Sequence, residues 1–231
     1  MSTSPKPAPE ERKSATVALF GLEEPAAGIL RDCFRQFGIR TEAVVGDPVE
    51  RLQRQKFEAC ALRLNEDAEA ILKAARGSPS NRRIVVYGLS RSPEEAIRYS
   101  KYGVNAMLQE PVDRQSVLKV VRATHLLVIN ELRIYVRVPV FTEVALERAG
   151  RKCTASTLEV SAGGMSMRCA EKLAMGEAVD VSFTLPGEKP LKLGATVVWR
   201  RDPDVVGLRF EPTDERRITV RQWIDTYLGI G

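Results

Sequence analysis

The spacing of apolar residues changes once along this chain, close to Asn130, and this change constrains the fold more than any other feature. Before it, short apolar runs alternate with stretches in which apolar residues recur every three to four positions. After it, apolar and polar residues alternate one by one, as at Val179, Val181 and Phe183. The first pattern is typical of strands joined by amphipathic helices, and the second of strands with one buried face. We therefore expect an α/β domain followed by a β domain.

The amino-terminal half predicts a doubly wound parallel sheet of the flavodoxin-like type. Its first candidate strand, Thr16 to Phe20, precedes a helical stretch that ends at Gly38, where a C-cap glycine belongs. The alternation continues, so that five strands and five helices are expected. The other candidate strands are Glu42 to Val45, Ala59 to Leu64, Arg83 to Tyr87 and Ala106 to Leu108.

The domain boundaries follow from the same patterns. A fifth helix begins after Pro111, with Asp113 as its candidate cap, and leads into Asn130. We place the α/β domain at residues 15–129 and the β domain at residues 130–231. Residues 1–14 mix Pro, Ser and charge without periodicity, so we expect them to be a disordered tail.

Short strands separated by turn residues such as Pro186-Gly187 predict that the β domain is a small barrel. A final helix is expected to cover it, because Val220, Trp223, Ile224 and Tyr227 recur at helical spacing.

Composition excludes several classes of function. Lys and Arg outnumber Asp and Glu by 35 to 30, a formal net charge of +5 that is too small to indicate nucleic acid binding. No run reaches the roughly 18 apolar residues of a membrane span, and no signal-peptide core begins the chain, so a cytoplasmic location is expected. The cysteines show no CxxC spacing, and no nucleophile with a base or Gly-rich phosphate loop is evident. We expect a protein that is not an enzyme and carries no metal or cofactor.

A pair of arginines at the start of the β half is the first candidate binding feature. Arg133 and Arg137 are four residues apart, a spacing that places both on one face in a helix or a strand. Guanidinium groups donate in a planar fork to phosphate oxygens or to the O6 and N7 edge of guanine. The pair can equally be two solvated charges at a domain junction.

The second candidate feature is the segment Glu159-Val160-Ser161-Ala162-Gly163-Gly164. The carboxylate of Glu159 can accept from guanine N1 and N2, and the hydroxyl of Ser161 can donate or accept. Gly163 and Gly164 permit close backbone approach or positive φ. A hairpin turn explains the same residues, and the two interpretations are compatible.

Together these segments resemble the RxxxR and DxSxxG motifs of PilZ domains. Arg133 and Arg137 match the first motif, Ser161 and Gly164 match the second, and Glu159 replaces its aspartate. The resemblance covers about Asn130 to the carboxyl terminus and implies a six-stranded barrel that binds cyclic di-GMP across its outer surface. The predicted ligand-binding residues are Arg133, Arg137, Glu159, Ser161, Gly163 and Gly164.

The amino-terminal half resembles a response-regulator receiver domain whose chemistry is missing. The resemblance implies an acidic pair, a phosphoacceptor aspartate and a lysine, but the matching places hold Gly21-Leu22-Glu23-Glu24, Arg63 and Glu110. A guanidinium cannot accept a phosphoryl group, and a carboxylate in place of the lysine repels one. We therefore expect a pseudo-receiver that serves as a docking or dimerisation surface for a protein partner.

The sequence thus predicts a cyclic di-GMP effector or adaptor in bacterial signalling. Residues 130–137 are expected to be a short hinge, mobile without ligand, that folds across cyclic di-GMP and reorients the two domains. One alternative is an interaction adaptor whose PilZ-like barrel has lost its ligand. A DNA-binding response regulator is disfavoured, because the β half lacks a helix-turn-helix pattern.

Overall fold

The computed structural model describes residues 14–201 and 203–230. The chain divides into two compact units between Leu132 and Arg133. The tail predicted at residues 1–14 lies outside the described residues, apart from Ser14.

The first unit is a five-stranded parallel sheet with the strand order β2-β1-β3-β4-β5. This order is that of a doubly wound flavodoxin-like sheet, which confirms the predicted fold class. The strands are β1 (Thr16–Phe20), β2 (Arg40–Val44), β3 (Ala59–Arg63), β4 (Val85–Ser90) and β5 (Ala106–Gln109). The helices are α1 (Ala26–Arg35), α2 (Pro48–Arg54), α3 (Ala68–Gly77), α4 (Pro93–Ser100) and α5 (Arg114–Tyr135).

Burial explains why the central strands of this sheet read as continuous apolar runs. Every residue of β4 is buried, and only Arg63 at the end of β3 is partly exposed. Strands covered on both faces lose the alternation that a half-exposed strand shows. Side chains cap the start of two of these helices: Asp47 accepts from the amide of Val49 at the start of α2, and Ser92 accepts from the amide of Glu95 at the start of α4.

Helix α5 is longer than the sequence analysis predicted. Residues 130–135 were expected to begin a hinge, but they continue the helix, which ends at Tyr135. The apolar stripe continues through Val128, Leu132 and Val136, all buried, at intervals of four residues. The segment is also fixed by charge, because Glu131 is only 4% exposed and pairs with Lys56 and Arg83 at 3.5 and 3.1 Å.

The second unit is a closed antiparallel barrel of six strands, as predicted. The ring of pairings runs β8-β7-β10-β11-β12-β9 and returns to β8, while the short strand β6 adds to the outer edge of β8. The strands are β6 (Val138–Pro139), β7 (Glu143–Arg148), β8 (Arg151–Ser161), β9 (Gly164–Arg168), β10 (Ala178–Phe183), β11 (Leu191–Arg201) and β12 (Val205–Phe210).

The predicted final helix is α6 (Arg217–Leu228), whose buried face consists of Val220, Ile224 and Leu228. Among the described residues, no helix has the length and apolar character that crossing a membrane requires.

Candidate functional site

The outer surface of the barrel carries a row of residues that lie side by side on neighbouring strands. Glu159 on β8 is paired with Pro139 on one side and with Ser166 on the other. Ser166 faces Gly207, which in turn faces Trp199 on β11. Because alternate residues of a strand point to opposite faces, this row defines one continuous exterior surface. We call these five residues the exterior row.

Arg133, the first motif arginine, forms an ion pair with Asp225 of the same chain. It lies in the last turn of α5 and is only 7% exposed. Its Nε and Nη2 donate to Oδ1 and Oδ2 of Asp225 on α6 at 2.5 and 2.9 Å. This fork-to-fork arrangement is the strong geometry of an arginine–carboxylate pair.

Arg137, the second motif arginine, lies just after α5 and is exposed. Its Nη1 donates to the carbonyl oxygen of Ile134 at 2.8 Å, so the guanidinium caps the carboxyl end of the helix, where a cation is favoured. Desolvation lowers the pKa of Arg137, while the negative charge of Glu159 acts in the opposite direction. The two residues, one from each motif, are therefore close enough to interact electrostatically.

Glu159 is exposed in the exterior row, between Pro139 and Ser166, and no described residue donates a hydrogen bond to its carboxylate. The pairing of β8 with β9 is irregular between Thr157 and Glu159. Such a bulge bends the strand and changes where the side chain that follows it is directed.

Ser161 and Gly164 shape the hairpin between β8 and β9. Ser161 is 2% exposed, and its Oγ donates to the carbonyl oxygen of Gly164 at 3.0 Å. A Cβ at Gly164 would clash with the backbone carbonyl of Leu208 on β12, whereas a Cβ at Gly163 would meet nothing. The motif residues therefore have a structural task, and their predicted contact with ligand stays a prediction.

Trp199 is a surface residue that the analysis of the sequence did not assign to the site. Its ring covers Gly207, where any side chain would clash with it, and it remains 40% exposed. The guanidinium of Arg201 lies 5.8 Å from the ring centroid. The sequence contains both strands but not their register, which alone places Trp199 on the exterior row.

In the first unit, Arg63 is the last residue of β3 and Glu110 directly follows β5, at the places where the resemblance to receivers placed the aspartate and the lysine. Arg63 Nε and Nη2 donate to the Glu110 carboxylate at 3.0 and 2.8 Å. Hydrogen bonding to Glu110 raises the pKa of Arg63, which fixes its positive charge. The two positions that the sequence analysis matched to the aspartate and the lysine of a receiver are therefore joined as an ion pair.

Residues 131–228 match the family model of the PilZ domain, which confirms the resemblance seen in the two motifs. The PilZ domain of CeSA from a cellulose-synthesizing bacterium is 22% identical; the match covers 41% of this chain and 97% of that one, with a TM-score of 0.34. The inhibitor of motility of Bacillus subtilis is 23% identical over 42% of this chain and 52% of its own, with a TM-score of 0.36.

A structure similar to the first unit is the receiver domain of a sensor histidine kinase from Pseudomonas aeruginosa. It is 18% identical, and the match covers 48% of this chain and 97% of that one, with a TM-score of 0.40. A search among curated proteins gives no significant match.

We predict that Gly164→Ala destabilises the PilZ domain by about 1–3 kcal/mol, because a methyl group cannot fit against the Leu208 carbonyl without moving β12. Gly163→Ala is the matched control and is expected to change stability by less than about 0.5 kcal/mol. Both tryptophans, Trp199 and Trp223, lie in this unit, so urea unfolding followed by tryptophan fluorescence reports on it selectively. Equal midpoints for the two variants would contradict the close approach.

We predict that the first unit is not phosphorylated by acetyl phosphate in the presence of Mg²⁺, because the pair of Arg63 and Glu110 fills the position of the phosphoacceptor and its lysine. Intact-protein mass spectrometry is the measurement, with a phosphorylatable receiver domain as the positive control. Addition of one phosphoryl group to an aspartate of this unit would refute the assignment as a pseudo-receiver.

Proposed function

We propose that the chain is a non-catalytic effector that binds cyclic di-GMP on the outside of its PilZ barrel. PilZ domains are a family of cyclic di-GMP receptors. The observation that carries the proposal is the pairing of Glu159 with Pro139, two residues after Arg137, which brings one exposed cation and one exposed anion from the two motif segments to the same surface. Such a pair matches a ligand that has both phosphates and guanine edges.

The roles of the two side chains follow from their hydrogen-bonding groups. Glu159 can accept from guanine N1 and N2, both of which are donors. Arg137 uses Nη1 to cap α5, and its Nε and Nη2 donate to no described residue. Those two nitrogens form the fork that binds a phosphate or the O6 and N7 edge of guanine. The extra methylene of Glu159, compared with the motif aspartate, moves its carboxylate outward from β8.

The Nε–Nη2 edge of Arg133 joins the ligand by leaving Asp225. The two residues form a buried fork, so cyclic di-GMP and Asp225 compete for the same guanidinium. On the same helix, Glu131 is held by Lys56 and Arg83 of the first unit. Exchange of the partner of Arg133 would therefore act at the end of α5, two residues from the attachment of that helix to the first unit.

The first unit is proposed to transmit this change to a protein partner or to a second copy of the chain. Its helices expose large apolar side chains, namely Ile97 on α4 and Leu126 and Leu127 on α5. Leu126 and Leu127 are neighbours on α5, so we propose that the partner binds at this helix.

Isothermal titration of cyclic di-GMP tests the proposal directly. We expect wild-type protein to bind and Arg137→Ala to bind about 10- to 150-fold more weakly, the effect of losing one charge-assisted contact worth roughly 1.5–3 kcal/mol. Arg151→Ala is the matched control, because it removes an exposed guanidinium from the opposite end of β8. GTP serves as the specificity control. Wild-type protein without affinity for cyclic di-GMP would refute the proposal.

A second candidate function is an adaptor that binds a protein partner and no nucleotide. Two interactions inside the unit favour it: Arg133 forms an ion pair with Asp225, and the Ser161 hydroxyl donates to the Gly164 carbonyl oxygen. In that case the arginine motif serves to attach α6 to the end of α5.

The variant Asp225→Asn separates the two candidates. If the ligand competes for Arg133, replacing the charged partner by a neutral one tightens cyclic di-GMP binding about five- to tenfold, since a charged hydrogen bond exceeds a neutral one by ~1–1.5 kcal/mol. Glu215→Gln, also a loss of one negative charge on the outside of this unit, is the control. An adaptor without a ligand would show a loss of stability in Asp225→Asn and no binding in either variant.

A further inference from the structure

Phe141 is a solvent-exposed aromatic residue whose neighbours in the chain form regular hydrogen bonds. It lies between β6 and β7 and is 80% exposed. The residues on either side of it are fixed: the amide of Val140 donates to the Leu158 carbonyl at 3.2 Å, and that of Thr142 donates to Thr157 Oγ1 at 2.9 Å. The backbone that carries the Phe141 ring is therefore hydrogen-bonded to β8 on both sides of this residue.

Exposure alone does not give a phenylalanine a function, because single apolar residues are common on protein surfaces. The informative feature is which residues share its face. Exposure alternates along this segment, with Arg137, Pro139 and Phe141 exposed and Val138 and Val140 buried. All three exposed residues therefore belong to the outer face of the barrel.

The register of β6 against β8 places Glu159 beside this line of residues. Glu159 is directly opposite Pro139, and Phe141 is two positions further along the same edge. Diagonal neighbours of this kind are about 7–8 Å apart, and residues i and i+2 of a strand about 6.6 Å apart. The backbone positions of Phe141, Glu159 and Arg137 thus lie around Pro139, with an aromatic ring, a carboxylate and a guanidinium on the same outer face.

We infer that Phe141 is a stacking platform for a guanine base of the ligand. The base lies with one face on the Phe141 ring, directs N1 and N2 toward Glu159 and leaves its phosphate within reach of Arg137. This inference rests on the proposed function and adds a residue that belongs to neither motif segment. Phe141 and Glu159 then have different roles. Stacking on Phe141 accepts any base and supplies affinity, while the Glu159 carboxylate distinguishes guanine from adenine.

The inference is tested by titrating cyclic di-GMP into wild-type protein and into three variants of Phe141. Phe141→Ala is expected to weaken binding about 5- to 150-fold, the range found when one stacked base loses its aromatic partner. Phe141→Leu keeps an apolar side chain without a ring and is expected to bind weakly as well. Phe141→Trp is expected to retain binding, and cyclic di-GMP should quench its fluorescence more than it quenches that of the wild type.

Ile218→Ala is the matched control, because it removes another exposed apolar side chain from the same unit, on α6. It is expected to bind like the wild type. Wild-type affinity in both Phe141→Ala and Phe141→Leu overturns the role of Phe141 and leaves the proposed function intact. Wild-type protein that does not bind cyclic di-GMP overturns both.

Discussion

The buried pair of Arg133 and Asp225 is the interaction on which the carboxyl-terminal unit most depends. It joins the last turn of α5 to α6 across 92 positions of sequence, and it satisfies a guanidinium that is almost wholly removed from water. Removing one partner of such a pair typically costs roughly 3–5 kcal/mol, because the other charge stays buried without compensation. The same pair keeps Arg133 away from the surface, whereas Arg137, the other motif arginine, is exposed.

Closure of the barrel determines the rest of the candidate site. A strand in a closed sheet has neighbours on both sides, so the alternation of inward and outward side chains is fixed around the whole ring. This constraint aligns Glu159, Ser166, Gly207 and Trp199 across four strands of the ring, and Pro139 joins them through the pairing of β6 with β8. Two glycines allow close packing at this surface. Gly164 lies against the backbone of Leu208, and Gly207 lies beneath the ring of Trp199.

The periodicity of apolar residues was sufficient to predict both fold classes. A strand buried on both faces has a continuous apolar run, and a strand buried on one face alternates apolar and polar residues. The motif spacing was sufficient to identify the PilZ domain. The partner of Arg133 was beyond such reasoning, since nothing near it in sequence indicates Asp225. The extent of α5 was wrongly predicted although its stripe continues to Val136, because the resemblance favoured a mobile arginine segment. The sequence does not show that Phe141 lies near Glu159, because this depends on the register between β6 and β8, which is seen only in the structure.

The order of binding steps follows from which groups are already exposed. Arg137, Glu159 and Phe141 lie in water, so a ligand can contact them without breaking an interaction inside the barrel. Arg133 is different, because a ligand that binds its Nε–Nη2 edge has to replace Asp225 there. A ligand shifts such an equilibrium only by the difference in its affinity for the two states. Under the proposed function, the exposed residues determine affinity for the resting state, and an exchange at Arg133 determines how strongly binding is coupled to α5 and α6.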